Sequence, residues 1–272
     1  MWTFINDQWV DAANASLHVS DLAVQRGYGV FDFFRTVEQR PLFIDDHLAR
    51  LQNSAQTLRL TIPYTADALK QIITELINRN QLATSGIRLT VTGGNAADTY
   101  TPVTPNIIIT QHPLTMADVF DAQKGMALIT EEYVRELPEV KSINYLMGVY
   151  LQQKVKDAGA DDVLYVKNGL ISELPRSNVF VVTANNELVT PDANVLYGIT
   201  RKQILTIAKE TMTVQEQPVT MYEILRAKEV FVTSTTKRLL QVFSVNGTII
   251  GERKTGQVTT GLYHRLLQLE KG

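Results

Sequence analysis

The 272-residue sequence predicts an α+β fold arranged as two domains. Three observations carry this expectation. Short apolar segments of strand character recur along the whole chain, helical stripes of period 3.6 interrupt them at uneven intervals, and one stretch near the middle holds neither period. The uneven alternation argues against a doubly wound sheet or a βα barrel, which need a run of equal βα units.

The elements follow in order. Trp2 to Ile5 and Gln8 to Val10 flank Asn6-Asp7, a two-residue turn signal that predicts an opening hairpin. Val30 to Val37 is rich in aromatic and β-branched residues, as a strand requires, and Pro41 to Ile44 is expected to pair back on it across Glu38-Gln39-Arg40. Asp45 reads as the N-cap of a helix in which Leu48, Leu51, Ala55 and Leu58 recur at helical spacing. Thr65 reads as the cap of a second helix, with Leu69, Ile72, Ile73, Leu76 and Ile77 as its buried stripe. Ile87 to Thr92 and Ile107 to Thr110 are further strands of this half.

His112 to Gly125 carries a proline, polar residues and no sustained period, so it marks the connection between halves. The expected domains are 1–115 and 122–272, with 112–121 as the interdomain loop. Beyond it, strands are expected at Met126 to Thr130, Val163 to Val166, Val179 to Thr183, Glu229 to Thr233 and Val242 to Val245, punctuated by the turns Asn168-Gly169 and Asn246-Gly247. Helices are expected at Tyr145 to Lys156, Thr200 to Glu210 and Gly261 to Leu269. There is no internal repeat and no low-complexity tract.

Composition narrows the function. The absence of cysteine excludes disulfides, thiolate metal sites and cysteine nucleophiles. The 26 basic and 28 acidic residues are scattered, so no nucleic-acid partner is expected. The first residues, Met1-Trp2-Thr3-Phe4-Ile5-Asn6-Asp7, lack a basic flank followed by an apolar run. No segment approaches the ~18 consecutive apolar residues of a membrane span. A soluble, cytoplasmic protein acting on small molecules is the expectation.

Six strings carry the chemistry. They are Asp21 with Gly27-Tyr28-Gly29-Val30-Phe31-Asp32; His47-Leu48-Ala49-Arg50-Leu51; Lys141-Ser142-Ile143-Asn144-Tyr145; Glu173 with Ser177-Asn178-Val179-Phe180; Gly198-Ile199-Thr200-Arg201; and Phe231-Val232-Thr233-Ser234-Thr235-Thr236. In this order, over nearly the whole chain, they resemble the class IV aminotransferases, the fold type IV group of pyridoxal phosphate enzymes. That group includes D-amino-acid aminotransferase, branched-chain aminotransferase and aminodeoxychorismate lyase. The resemblance implies a smaller N-terminal α/β domain, a larger C-terminal domain with a β-barrel-like core, and a homodimer in which the loop around Arg26 reaches the neighbouring subunit's site. It implies pyridoxal 5′-phosphate as cofactor, and amino acids and 2-oxo acids as substrates.

The resemblance also assigns residues. Lys141 matches the lysine that forms the aldimine and shuttles protons, a role that burial beside a cationic cofactor favours by depressing the amine's pKa; the alternative is a helix-entry lysine facing water. Glu173 matches the carboxylate that keeps the pyridine nitrogen protonated, against an ordinary strand-end charge. Tyr145 either reaches the cofactor's phenolic oxygen or packs in the core. Arg50 matches the phosphate-binding arginine; an i, i+4 pair with Asp46 is the alternative. Ile199 and Thr200 open a helix whose free amides and hydroxyl suit phosphate oxygens. Ser234, Thr235 and Thr236 add hydroxyls and amides, and Ser177 and Asn178 complete the cofactor-binding set.

Substrate recognition departs from the D-amino-acid relatives. They carry an arginine where this chain has Gly93, and a tyrosine where it has Phe31. A substrate carboxylate without a partner in a closed pocket costs several kcal/mol, so replacements are expected. Arg88 matches an arginine of the branched-chain enzymes, and Arg26 stands where the family has a bulky apolar or aromatic residue. The two are expected to bind the α-carboxylate together; otherwise Arg26 pairs with Asp21 or Asp32. Among subfamilies, the strings at 141–144 and 231–236 favour transamination of the D-amino-acid type, with a branched-chain L-amino-acid aminotransferase and an aminodeoxychorismate lyase as the alternatives.

Overall fold

A computed structural model describes residues 1–116 and 120–271. The chain forms two compact units: Met1–Met116 with Val140–Asn144, and the remaining described residues. The segment around Lys141 therefore groups with the first unit, although it follows the connection in sequence.

In the first unit, Asn6 and Asp7 both take left-handed φ, 45° and 66°, and join β1 (Trp2–Ile5) to β2 (Gln8–Asp11) as their turn residues require. Then come α1 (Leu22–Arg26), capped by Asp21, and β3 (Gly29–Val37). β3 is joined to β4 (Arg40–Pro41) by Glu38 and Gln39 alone, with Val37 opposite Arg40. The turn is thus one residue shorter than expected, because both residues adopt positive φ, and Phe43 and Ile44 are freed from the strand. α2 (Ile44–Thr57) starts at once, with Phe43 at φ 53° as an N-cap that makes no side-chain bond. Asp45, the expected cap, lies inside the first turn and pairs with Lys70. α3 (Ala66–Asn80) has the expected cap: Thr65 Oγ1 accepts the Ala68 N–H at 3.2 Å. β5 (Thr84–Thr92) and β6 (Ile107–Pro113) complete an antiparallel sheet of order β2-β1-β6-β5-β3-β4. His112 and Pro113, expected in the connecting loop, end β6 because they pair with Gly86 and Ser85. Residues 117–119 of that loop lie outside the described residues.

Period two decides which face of β3 does what. Val30 and Phe34 face α2 and α3 and join Leu48, Leu51, Leu69, Ile73, Leu76, Ile87, Leu89 and Val91 in one core. Burial of each such side chain stabilises by about 1.5–3 kcal/mol, which fixes both helices on this face. Val140–Asn144 lies along β3: the Phe31 N–H donates to the Lys141 carbonyl at 2.9 Å, and the Ile143 N–H to the Gly29 carbonyl at 3.0 Å.

The second unit runs β7 (Gly125–Glu132), α4 (Leu146–Tyr150), α5 (Gln152–Asp157), β8 (Asp162–Lys167), β9 (Leu170–Ile171), β10 (Glu173–Leu174), β11 (Ser177–Val182) and β12 (Leu188–Thr190). It continues with α6 (Ile199–Lys209), β13 (Val214–Glu216), α7 (Met221–Leu225), β14 (Glu229–Ser234), β15 (Arg238–Val245), β16 (Thr248–Ile249) and α8 (Gln257–Lys271). The helix expected from Tyr145 to Lys156 is two short helices meeting at Leu151, with Tyr145 as the first N-cap. The strands form one curled, mixed sheet with a main path β13-β12-β11-β14-β15-β7-β8-β9. β7 runs parallel to both β15 and β8, whereas β14 runs antiparallel to both of its neighbours, β11 and β15. α6 and α8 pack on each other and against β14. Among the described residues, no helix is long and apolar enough to cross a membrane.

Candidate active site

In the first unit, the two faces of β3 carry two clusters. On the face away from the helices lies Phe31, with the Arg88 guanidinium 3.8 Å and Lys141 Nζ 4.5 Å from its ring centroid. Register explains the first contact. Arg88 is opposite Phe33 across the β3–β5 ladder and so stands diagonally beside Phe31 on the same face. Gly86 makes room for the Phe33 ring, which a Cβ at that position would meet. Lys141 is placed by its own backbone, since its carbonyl accepts from Phe31 and its N–H donates to Ser54 Oγ at 3.1 Å. An amine and a planar guanidinium are thereby both held against the Phe31 ring.

On the helix-facing side, Asp32 sits between Val30 and Phe34 and is buried. Arg50 Nε and Nη2 donate to its two carboxylate oxygens at 2.9 and 2.8 Å, and His47 Nδ1 donates to Oδ1 at 2.6 Å. Burial alone would raise the Asp32 pKa, but the charge of Arg50 and then the His47 interaction outweigh it and hold the carboxyl far below the usual range. Burial pushes the His47 pKa down; Asp32 opposes this, while Arg50 and Lys141 add to it. Arg50 is only 12% exposed, and its pairing with Asp32 replaces the Asp46 alternative. The bidentate bond occupies one edge of the guanidinium and leaves Nη1 for an anion.

Arg26 is not brought into these clusters. Exposed at the end of α1, it donates to the Gln25 carbonyl at 2.8 Å and to Thr99 Oγ1 at 3.3 Å. It pairs with neither acid considered for it. Asp21 accepts from the Ala23 N–H, Thr92 Oγ1 and Asn106 Nδ2, and Asp32 is engaged by Arg50.

In the second unit, strand register assembles the other candidates. Glu173 is opposite Asn178 on β10–β11, Asn178 opposite Thr233 on β11–β14, and Ser234 opposite Arg238 on β14–β15. Glu173, Ser177, Asn178 and the Ser234–Thr236 turn therefore share one end of the sheet. Glu173 is 4% exposed; Oε1 accepts from Arg135 Nε at 2.7 Å, and Oε2 from the Leu196 N–H at 2.9 Å. This is a buried, oriented carboxylate rather than a strand-end charge in water. Asn178 Nδ2 donates to the Leu196 carbonyl at 2.7 Å, so the segment entering α6 is tied to the same place. A Cβ on Gly198 would collide with Asn178 Oδ1, which is why this junction takes glycine.

Lys202 N–H donates to the Gly198 carbonyl, so the amides of Ile199, Thr200 and Arg201 precede any intrahelical acceptor and are available to an anion. At the hairpin, the Lys237 N–H donates to Ser234 Oγ at 3.2 Å, and Lys237 Nζ lies 3.5 Å from Ser177 Oγ. Burial pushes the Lys237 pKa down, while Asp162 opposes the shift. Tyr145 is half-buried at the head of α4.

Sequence reasoning passed over Asp32 and His47 as site groups, and over Arg135 and Lys237 altogether. Asp32 carried a signal, because an acid between Val30 and Phe34 on a core-facing register needs a cation. Arg135 carried none, since its partner lies far along the chain.

The amino-transferase class IV family matches residues 29–245. D-alanine aminotransferase of Bacillus licheniformis is 31% identical over 265 residues, covering 95% of this chain and 93% of that protein. A putative branched-chain-amino-acid aminotransferase of Methanocaldococcus jannaschii is also 31% identical, over 278 residues, with 96% and 94% covered. The solved structure of a T.th. branched-chain amino acid aminotransferase with pyridoxamine 5′-phosphate superposes with a TM-score of 0.91 at 25% identity, covering 98% of this chain and 93% of that one.

Proposed function

This chain belongs to the class IV aminotransferases and uses pyridoxal 5′-phosphate, and we propose that it transfers the amino group of a D-amino acid to a 2-oxo acid by a ping-pong route. The carrying observation is the Phe31 ring with Lys141 Nζ at 4.5 Å and Arg88 at 3.8 Å. An amine that handles the α-proton and a guanidinium that takes the α-carboxylate are what an α-amino acid requires, and both lie against the same ring.

When bound, the cofactor supplies a ring that takes up the electron pair left on the substrate's α-carbon. Lys141 removes the α-proton and returns it at the cofactor's C4′. Glu173, oriented by Arg135, keeps the pyridine nitrogen protonated, with Ser177 and Asn178 supporting it. Arg50 meets the phosphate. So do the amides of Ile199 and Thr200, the Thr200 hydroxyl, and Ser234, Thr235 and Thr236. Tyr145 reaches the phenolic oxygen. The fit rests on the buried carboxylate and on amides without intrahelical acceptors, and a glycine cradle beside Asn178 supports it. Arg88 binds the substrate carboxylate over Phe31, and Arg26, which lies outside this cluster and is held by Thr99, serves as a second cation in the neighbouring subunit's site.

Handedness rests on the strings at 141–144 and 231–236 and on the Bacillus relative. Arg88 and the Methanocaldococcus relative favour a second reading, a branched-chain L-amino-acid aminotransferase. A panel of D- and L-amino acids mixed with the holoenzyme, followed by the absorbance of the bound cofactor, separates them. D-alanine or D-glutamate should convert it; conversion by L-leucine or L-valine alone overturns the D assignment. The enzyme works in the cytoplasm as a homodimer in this reading. Leu146, Val149 and Tyr150 on one face of α4, 76%, 69% and 76% exposed, support an apolar subunit contact.

A further inference from the structure

The hairpin that presents Ser234, Thr235 and Thr236 closes through an unusual residue. Arg238, paired with Ser234 across the turn, has φ 56°, a left-handed conformation that glycine adopts freely and a long side chain adopts under strain. Its side chain is 4% exposed. Nε donates to Glu270 Oε2 at 2.6 Å, and Nη1 to the Tyr263 hydroxyl at 3.3 Å. Glu270 is 3% exposed and stands in the last turn of α8. The neighbouring Lys237 reaches the other way, toward Ser177. The turn is thus gripped from both sides, by β11 and by the C-terminal helix.

Strained backbone persists only where its surroundings over-determine it. Here the far end of the Arg238 side chain is fixed by a buried ion pair, whose breakage is costly because it strands a charge away from water. Release of the guanidinium lets residue 238 relax toward negative φ, which re-aims the peptides of residues 235–237. We infer that the Arg238–Glu270 pair is a strut from the C-terminal helix that sets the Ser234–Thr236 turn for the cofactor's phosphate, making Arg238 and Glu270 positioning residues for cofactor binding. The inference rests on the proposed role of that turn.

The test is titration of full-length protein, stripped of cofactor, with pyridoxal 5′-phosphate and separately with pyridoxal, which lacks the phosphate. Thermal unfolding of each stripped variant is measured alongside. Arg238→Gly deletes the strut and leaves residue 238 free to move out of the left-handed region; Glu270→Gln keeps the helix and deletes the charge. Each should weaken pyridoxal 5′-phosphate by about tenfold, the scale of one charge-assisted hydrogen bond, with pyridoxal affinity unchanged. Folded variants that retain the full preference for the phosphorylated compound overturn the strut. If Arg238→Gly does not fold, Glu270→Gln decides. Ser234→Ala with Thr235→Val serves as the control: if this pair leaves the preference intact, the phosphate role of the turn itself fails. If the pair lowers the preference while Glu270→Gln does not, the strut alone fails.

Discussion

The candidate residues of the first unit and those of the second are built in opposite ways. In the first, the chemistry is carried by side chains on the two faces of one strand, β3: Phe31 with its two cations on one face, Asp32 with Arg50 and His47 on the other. In the second, much of it is carried by backbone. The register of β10, β11, β14 and β15 sets which residues share a sheet end, and the start of α6 contributes amides. A side-chain cluster is lost with one substitution, whereas an array of amides survives the loss of any hydroxyl beside it. The first unit should therefore be brittle and the second tolerant.

That contrast can be tested from its strongest point downward. Lys141→Ala should lower turnover by at least about 10³-fold, within the range for removal of a positioned proton-transfer group, and borohydride treatment of the wild-type holoenzyme should leave a pyridoxyl adduct on Lys141 by peptide mass spectrometry. Asp32→Asn leaves Arg50 buried without its counter-charge. Urea unfolding of the stripped protein should show a loss of about 3–5 kcal/mol, and a loss under 1 kcal/mol would remove the idea of brittleness.

A third test is the pH dependence of stability. Because His47 is held below its ordinary pKa of about 6.5, the folded chain binds its proton less readily than the unfolded chain. Its contribution is therefore complete above about 6.5 and is lost as pH falls toward the folded value, with a slope of up to about 1.4 kcal/mol per pH unit. Asp32, also depressed, acts with the same sign at lower pH, below about 3.9. Urea midpoints at pH 5, 6 and 7 should rise for the wild type and flatten in His47→Gln. The smallest effect belongs to the second unit. Thr200→Val removes a hydroxyl and keeps the amides, so affinity for pyridoxal 5′-phosphate should fall by no more than about tenfold; a loss as large as that of Arg50→Ala would erase the distinction between the units.

Legibility in the sequence follows the same division. Local physics was readable. Thr65 caps α3, and Asn6-Asp7 turns the first hairpin, because each acts on its immediate neighbours. Phe43 was not readable as a cap, since a left-handed aromatic with no side-chain bond leaves no mark, and Asp45 was recruited by Lys70 from another helix. β12 and β13, three residues each, are too short for periodicity to detect. The strings at 173–180, 198–201 and 231–236 stood out through their order and resemblance to the class IV family, since hydroxyl-rich turns and strand-end acids are common in any fold. Arg135 with Glu173 and Arg238 with Glu270 were not, because ion pairs between distant segments have no period.

The place of Val140–Asn144 along β3 has a kinetic meaning. The bonds of Phe31 to Lys141 and of Ile143 to Gly29 close a loop of roughly 110 residues, a non-local contact of the kind that slows folding and forms late. Until they form, Lys141 is an ordinary solvated amine. After they form, it lies over Phe31 within Coulomb range of the Asp32 cluster. The reactive amine is in that sense a clock for the assembly of its own unit: the moment at which pyridoxal 5′-phosphate first labels Lys141 during refolding dates the arrival of the distant segment.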